Sequence, residues 1–395
     1  MCYPTGHMAD LPTTKEVNRT VRTFAWASFL HDVGSDMIFS VWPLFLTQVL
    51  GANRTAVGLI DGISDALVSI SQAVSGYISD RIRKRKIFVW TGYLFGAVAR
   101  LGYAIAPSWG WVIPFRILDR TGKMRGAPRD AIVSDISTRE NRASHFGLMR
   151  AMDNAGAVAG VLLAMVLLRY VGLRTMFIIA AIPSLFASLL VILVIRERRL
   201  EGVKIFRGIR FSDIGRDLKI YMILSGIFQL GSFSYSFLLL AAGTLGFQMT
   251  SVPALYLLYS LVAAIVSLPV GRLADRVGRK PLLFASFAMW ICVLGLFLLQ
   301  PSPSLVVLAF VLYGLHLGML DPVQKTFVAE LAPKDYVASA LGGYQLAIGL
   351  VSLPASLFAG ILWDRTGFAA PFLFSLGLTA LAAVLLVFVR EKRTI

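Results

Sequence analysis

Residues 76–86 read GYISDRIRKRK, and residues 271–280 read GRLADRVGRK. Gly76, Asp80 and Arg81 of the first copy match Gly271, Asp275 and Arg276 of the second at one constant offset of 195 residues. Each copy is a short charged turn between two long apolar runs. A charged turn that recurs at matched places in an apolar chain marks an internal duplication of a polytopic membrane protein.

The flanking sequence agrees. The 395 residues are 57% hydrophobic and 15% charged, with a mean hydropathy of +0.72; a soluble domain has about 25% charged residues. Residues 176–195, 282–299 and 368–389 carry no charge, and about 20 apolar residues cross a bilayer. Twelve apolar spans are expected, near 22–50, 55–78, 86–107, 111–134, 143–169, 174–195, 218–245, 250–272, 281–300, 303–330, 337–362 and 368–390. The fold class is therefore an all-α membrane protein, with twelve transmembrane helices in two pseudo-symmetric six-helix bundles around a central cavity.

Charge fixes the expected topology. The net charge of +16 sits in alternate connections, which excludes a nucleic-acid surface and places those connections in the cytoplasm. Residues 1–21 and 391–395 are expected as cytoplasmic tails. Residues 196–217 are the expected cytoplasmic linker between bundles at 22–195 and 218–390. The N-terminal stretch lacks the apolar core of a signal peptide, and a prokaryotic cytoplasmic (inner) membrane is the expected location. Cys2 and Cys292 imply no disulfide framework, and the four histidines lack metal-ligand spacing. No G-x-x-x-x-G-K-[ST] motif is present, so nucleotide drive within the chain is not expected. Nor is a catalytic, cofactor or metal site. The expected partners are the bilayer, a small-molecule substrate and protons, for a monomer.

Two six-span halves, a basic central linker and two copies of G-x-x-x-D-R-x-x-x-R resemble the major facilitator superfamily over nearly the whole chain. GILWDRTG at 360–367 is another pattern common in it. Arg83 stands where that family usually has glycine. Arg116 with Gly122 resembles the R-x-x-x-x-x-G of drug/proton antiporters, but GAVAG at 156–160 lacks their proline; LDRTGKMRGAPRDA is closer to a poorly characterised bacterial and archaeal branch. The resemblance implies alternating access, with a cytoplasmic gate built on Gly76, Asp80, Arg81, Asp130, Gly271, Asp275, Arg276 and Arg279. Gly76 and Gly271 are expected to allow close helix packing, and the aspartates to latch the start of a neighbouring helix.

The intramembrane charges are unequal between the halves. Span one has His31, Asp32 and Asp36; span two has Asp61 and Asp65; span three has Arg100; span five has Arg150 and Asp153. Span four has Arg116, Asp119, Arg120, Lys123, Arg125, Arg129 and Asp130. In the second half only span ten is comparable, with His316, Asp321, Lys325 and Glu330. A charge at the bilayer centre costs about 2.5–3.5 kcal/mol on insertion scales, and such residues face a bundle interior or a water-filled cavity. Arg116, Arg120 and Lys123 share one helix face by their four-then-three spacing. They are the expected anion contacts, joined by Gln229, Tyr259, His316 and Tyr344 from the second half. Asp32, Asp36, Asp61, Asp65 and Asp119 are the expected proton-coupling groups, since an acid in low dielectric can exchange a proton near neutral pH. The alternative for each is a structural ion-pair network.

The sequence thus reads as a proton-coupled secondary transporter of a small polar, anionic organic solute. Multidrug efflux, import of a metal chelate such as metal-citrate, and a transport-inactive receptor are the rivals.

Overall fold

The computed structural model describes residues 13–82, 84–138, 141–196, 215–248, 250–299, 302–333 and 336–391, apart from the side chains of Asp80, Ala143 and Ala338. Arg83 and most of the expected linker therefore lie outside the described residues.

The first half comprises α1 (Thr14–Phe39), α2 (Trp42–Leu44), α3 (Arg54–Ile82), α4 (Lys86–Ile105), α5 (Trp109–Thr121), α6 (Gly126–Ile136), α7 (Arg142–Leu167) and α8 (Leu173–Val194). The second comprises α9 (Arg216–Gly231), α10 (Tyr235–Thr244), α11 (Val252–Val277), α12 (Arg279–Leu298), α13 (Pro303–Leu331), α14 (Val337–Thr366) and α15 (Ala369–Val387). Among the described residues, ten helical segments are long and apolar enough to cross a membrane, counting α9–α10 as one. The two remaining segments, α1–α2 and α5–α6, hold the first and fourth expected positions. The chain is an integral multi-pass membrane protein. A belt of exposed apolar residues, among them Leu193, Ile265, Leu268 and Val384, faces outward, as lipid contact requires.

α1 begins inside the stretch expected as a tail. Thr13 and Glu16 form a reciprocal capping box, which satisfies the first amides and starts the helix early. Three spans are broken in the membrane. α1 gives way to α2 at Pro43, followed by a π-helical turn over Phe45–Val49. α5 and α6 are separated by a 3₁₀ turn over Gly122–Arg125. α9 and α10 are separated around Ser232. Irregular backbone at this depth persists only where protein or a cavity satisfies it, and all three breaks border the polar site described below.

Within the first half, α1 packs on α7 and α8, and α4 on α8; within the second, α11 and α12 pack on α13, and α9 on α15. A core of Val17, Val21, Phe24, Tyr93, Val133, Ala187 and Val191 closes one end of the first half. That end carries both charged turns and is called the motif end below.

The main seam between halves joins α3 to α14. Toward the far end, glycines bring the backbones together. A Cβ at Gly62 would lie 2.6 Å from the Leu353 carbonyl oxygen, and one at Gly58 or Gly360 would meet the backbone of Ser356 or Arg54. Toward the motif end the seam loosens: Gly342 and Gly343 of α14 have nothing within 4 Å of a Cβ position.

Candidate functional site

The mid-membrane charges form a connected cluster whose members differ in how completely they are satisfied. Arg100 is fully engaged. It is 1% exposed and donates to the Ala180 carbonyl (2.9 Å), the His31 carbonyl (3.2 Å), Ser35 Oγ (2.7 Å) and Ser184 Oγ. Ser184 also bonds His31 Nδ1 at 2.9 Å. This network ties α1, α4 and α8 and leaves little donor capacity for a ligand.

Arg116 is nearly as well held. Its Nε donates to Ser64 Oγ at 2.7 Å, and its guanidinium lies 4.1 Å from the Trp42 ring centroid. Asp61 at 3.6 Å and Asp119 at 3.9 Å balance its charge. Asp61 in turn accepts from Trp42 Nε1 (3.1 Å) and from Ser234 Oγ (2.7 Å). Ser234 stands at the break before α10, so Asp61 joins the two halves.

Arg120 differs. Its guanidinium stacks on Phe39 at 4.4 Å and pairs with Asp119 at 3.0 Å. Yet Nε is buried without a hydrogen bond, as is Arg116 Nη1, and the Asp119 carboxylate is the one acceptor near Nη2 among the described residues. Lys123, one turn further and half-buried, makes no hydrogen bond or ion pair among the described residues. Three expected anion contacts are thus brought together, with buried unbonded donors on Arg116 and Arg120.

The carboxylates also divide. Asp61 and Asp119 are fixed between arginines. Asp36 accepts from Tyr256 of α11 at 2.8 Å, a second bond between the halves; a third runs from the Tyr235 hydroxyl to the Phe39 carbonyl at 3.2 Å. Asp32 has no such partner among the described residues. Asp65 is exposed and likewise lacks an ion pair there.

Of the second-half residues expected at the site, the three rings pack against residues of their own half. His316 is 1% exposed, bonded through Nδ1 to Ser286 and stacked on Trp290; it is a packed ring in the core of α12 and α13. Tyr259 packs among Tyr235, Tyr256 and Tyr313. Tyr344 stacks on Tyr221 and is 4% exposed. Gln229 is half-buried in α9. Burial against their own bundle explains the difference for the rings: an aromatic residue in mid-span packs well without lining a cavity.

The charged turns hold each half together in this conformation. Arg85 pairs with Asp135 at the end of α6, and Lys86 Nζ donates to the Ile192 carbonyl at 2.8 Å. In the second half Arg279 pairs with Glu330 at 2.7 Å, and Lys280 Nζ donates to the Val387 carbonyl at 2.7 Å. Asp135 and Glu330, like Ile192 and Val387, are again 195 residues apart. Each lysine thus meets the carbonyl end of the last helix of its half, where a cation is favoured.

Several expected gate contacts are not made between halves. Asp275 pairs with Arg279 at 2.8 Å, four residues along the chain. Gly271 has nothing within 4 Å of a Cβ position, so it makes no close packing; Gly76 approaches only Ala127, at 3.5 Å. Arg81 and Arg276 are exposed. Asp130 pairs with Arg129 at 2.9 Å, and Arg129 also reaches Asp153 at 3.7 Å. The Asp80 side chain is outside those described. Gly278 in the second turn has φ +97°, a conformation that favours glycine.

A latch of the expected kind exists at the opposite end. Asp364 of α14 accepts from the Arg54 and Thr55 amides at 3.2 and 2.8 Å and from Thr55 Oγ1 at 2.7 Å. Asn53 takes the Ala56 amide through Oδ1 at 2.8 Å and the Val57 amide through its carbonyl at 3.1 Å. The four opening amides of α3, which have no partner within a helix, are thereby satisfied, two of them from the other half. Sequence reasoning placed Asp364 in a familiar pattern without giving it a role. It also missed Phe39, Trp42 and Ser234. The signal for the aromatic pair was the three-residue spacing Asp36, Phe39, Trp42.

Two six-span halves, meeting at hydrogen-bonded carboxylates and enclosing buried cations, define a secondary transporter. Residues 24–248 and 221–395 match the Major Facilitator Superfamily, and the chain belongs to that family, whose members are transporters and not enzymes. It is 34% identical over 386 residues to an uncharacterised MFS-type transporter of Methanocaldococcus jannaschii, covering 95% of this chain and 96% of the other. It is 22% identical over 364 residues to the multi-drug resistance efflux pump PmrA of Streptococcus pneumoniae, covering 88% and 90%. The fold matches the crystal structure of a point mutant of the nucleoside transporter NupG with a TM-score of 0.79 at 14% identity, over 94% of this chain and 100% of the other.

Proposed function

We propose that the chain moves a small anionic organic solute by alternating access, coupled to protons, with Arg120 and Lys123 as the anion contacts. The observation that carries this reading is the buried guanidinium of Arg120, whose Nε has no hydrogen-bond acceptor and whose Nη2 meets only the Asp119 carboxylate, at 3.0 Å. A buried cationic donor left unfilled is costly, and a carboxylate or phosphate matches a guanidinium fork in a bidentate manner. Arg116 is the supporting residue, since Asp61 and Ser64 already hold it.

With the motif end taken as cytoplasmic, the tight far end and the looser motif end correspond to an inward-facing form. Asp32, Asp36 and Asp65 are the coupling candidates, because Asp61 and Asp119 are committed to arginines. Asp36 leads them: its bond to Tyr256 spans the halves, so a change in its charge acts directly on their contact.

The test is equilibrium binding and proteoliposome flux with a panel of organic acids and phosphorylated metabolites. Arg120→Gln is expected to weaken binding of any active anion at least tenfold while the protein still inserts and folds. Unchanged affinity in Arg120→Gln and Lys123→Gln rejects the site. Flux indifferent to an imposed pH gradient rejects the coupling. The likeness to PmrA supports a second reading, drug efflux, which predicts stabilisation by lipophilic cations in place of anions.

A further inference from the structure

We infer that the motif-end half of α1 carries a binding site for an anionic phospholipid, separate from the transport site. Lys15, Arg19, Arg22, Trp26 and Leu30 follow one another at four, three, four and four residues, so they form a single stripe along the helix. They line a groove of about 870 Å³ with Leu190 of α8. The opposite face of α1 is buried through Val17, Val21, Phe24 and Ala25, so the stripe faces outward from the protein.

The stripe changes character along its length. Its first two turns hold three exposed cations. Among the described residues none of the three makes an ion pair within 4.0 Å. Trp26 follows and is 54% exposed; Leu30 and Leu190 are half-buried. The rise from Lys15 to Trp26 is about 16 Å at 1.5 Å per residue. A cationic head, an indole one to two turns deeper and leucines beyond are the order met by a phospholipid: phosphate, interfacial glycerol, then acyl chain.

The depth is independently marked. The N-terminus of α4, where Lys86 caps α8 through the Ile192 carbonyl, lies at the same end, and α1 packs along α8. The three cations therefore stand where the chain enters the membrane. A free soluble anion explains the cations but not the apolar continuation, so the occupant is a lipid with a net negative headgroup. None of these residues belongs to the Arg120 cluster, so the inference stands apart from the transport reading.

The experiment uses the full chain reconstituted in phosphatidylcholine vesicles containing trace pyrene-labelled phosphatidylglycerol or phosphatidylcholine, with energy transfer from tryptophan as the readout. The intact protein is expected to enrich the anionic probe on the order of tenfold or more over the neutral one at low salt, given three cations. The triple variant Lys15→Gln, Arg19→Gln, Arg22→Gln is expected to bring that ratio near one with an unchanged thermal midpoint. Trp26→Phe should lower the energy transfer to bound pyrene-labelled phosphatidylglycerol without removing the enrichment. The inference is overturned by no enrichment in the intact protein, or by equal enrichment in a folded triple variant. It is also overturned if millimolar inorganic phosphate displaces the probe as well as phosphatidylglycerol does, since the site would then take a soluble anion. Should the triple variant not fold, Arg19→Glu alone supplies the same comparison, with a several-fold loss expected and an unchanged ratio counting against the site.

Discussion

The two halves share a fold and a charged turn but divide their chemistry unequally. The first half buries Arg100, and buries Arg116 and Arg120 with Asp61 and Asp119. The equivalent depth of the second half is filled by Tyr256, Tyr259, Tyr313, Trp290 and His316 packed ring on ring. Where the halves meet at mid-membrane, the first supplies acceptors and the second supplies donors: Asp36 takes from Tyr256, Asp61 from Ser234, and the Phe39 carbonyl from Tyr235; at the far end the order reverses, with Asp364 accepting from Arg54 and Thr55. The difference teaches that a duplicated scaffold can keep its symmetry in the connections and lose it in the interior. The symmetric clasps of Arg85 and Lys86 and of Arg279 and Lys280 hold each bundle as a unit. The asymmetric centre then has rigid walls to work between.

The comparison breaks most sharply at Arg116. Arg116→Leu leaves Asp61 without its only ion-pair partner among the described residues, and losing one member of a buried pair costs about 3–5 kcal/mol. Chemical denaturation in detergent should show that loss, and Arg116→Leu with Asp61→Asn should regain most of it. A single variant as stable as the parent would mean that the cluster does not hold the fold.

The next effect is on the contact between halves. Asp364→Ala removes three hydrogen bonds to the start of α3, each worth about 0.5–1.5 kcal/mol, more where the acceptor is charged. Spin-label distances across the far end should lengthen in a substantial fraction of molecules. Unchanged distances would show that the glycine seam alone keeps that end shut. Tyr256→Phe tests the same contact at mid-membrane, with a loss of about 1.5–3 kcal/mol for a bond to a charged acceptor. The flux response to a pH gradient should weaken while binding of a substrate anion stays within a few fold.

The smallest effect is expected at His316. Its ring is enclosed by Trp290, Phe228 and Tyr313. His316→Gln should leave transport within about threefold and its pH profile in place. A displaced profile would bring the second half into the chemistry and remove the asymmetry drawn above.

The fold was legible in the sequence because hydrophobic length and basic turns report directly on bilayer crossing. The broken spans were less so. Pro43 and Gly122 were visible, but whether such residues bend, break or merely sit in a helix is decided by neighbours that satisfy the freed backbone groups. The spacing of Arg116 and Arg120 holds within α5, whereas Lys123 falls in the 3₁₀ turn that follows, where the helical spacing used to place it on the same face is interrupted. Which arginine is spent on structure was not legible: Arg100 and Arg120 look alike in the chain, and only their partners separate them. His316 misled for the converse reason, because a polar ring in an apolar span reads the same whether it lines a cavity or packs in a core. The far-end latch was hidden because its acceptor and donors lie 310 residues apart, and most of those donors are backbone amides that any residue but proline supplies.

That last feature bears on genetics. Side chains at positions 54 and 55 can vary while the Arg54 and Thr55 amides still bind Asp364. Spontaneous mutations that free the far end should therefore fall repeatedly on the Asp364 codon. The alternative is proline at position 54 or 55, which a helix start tolerates well and which deletes an amide outright. A collection of suppressors selected to open that end would show this as a single crowded codon facing two nearly silent ones.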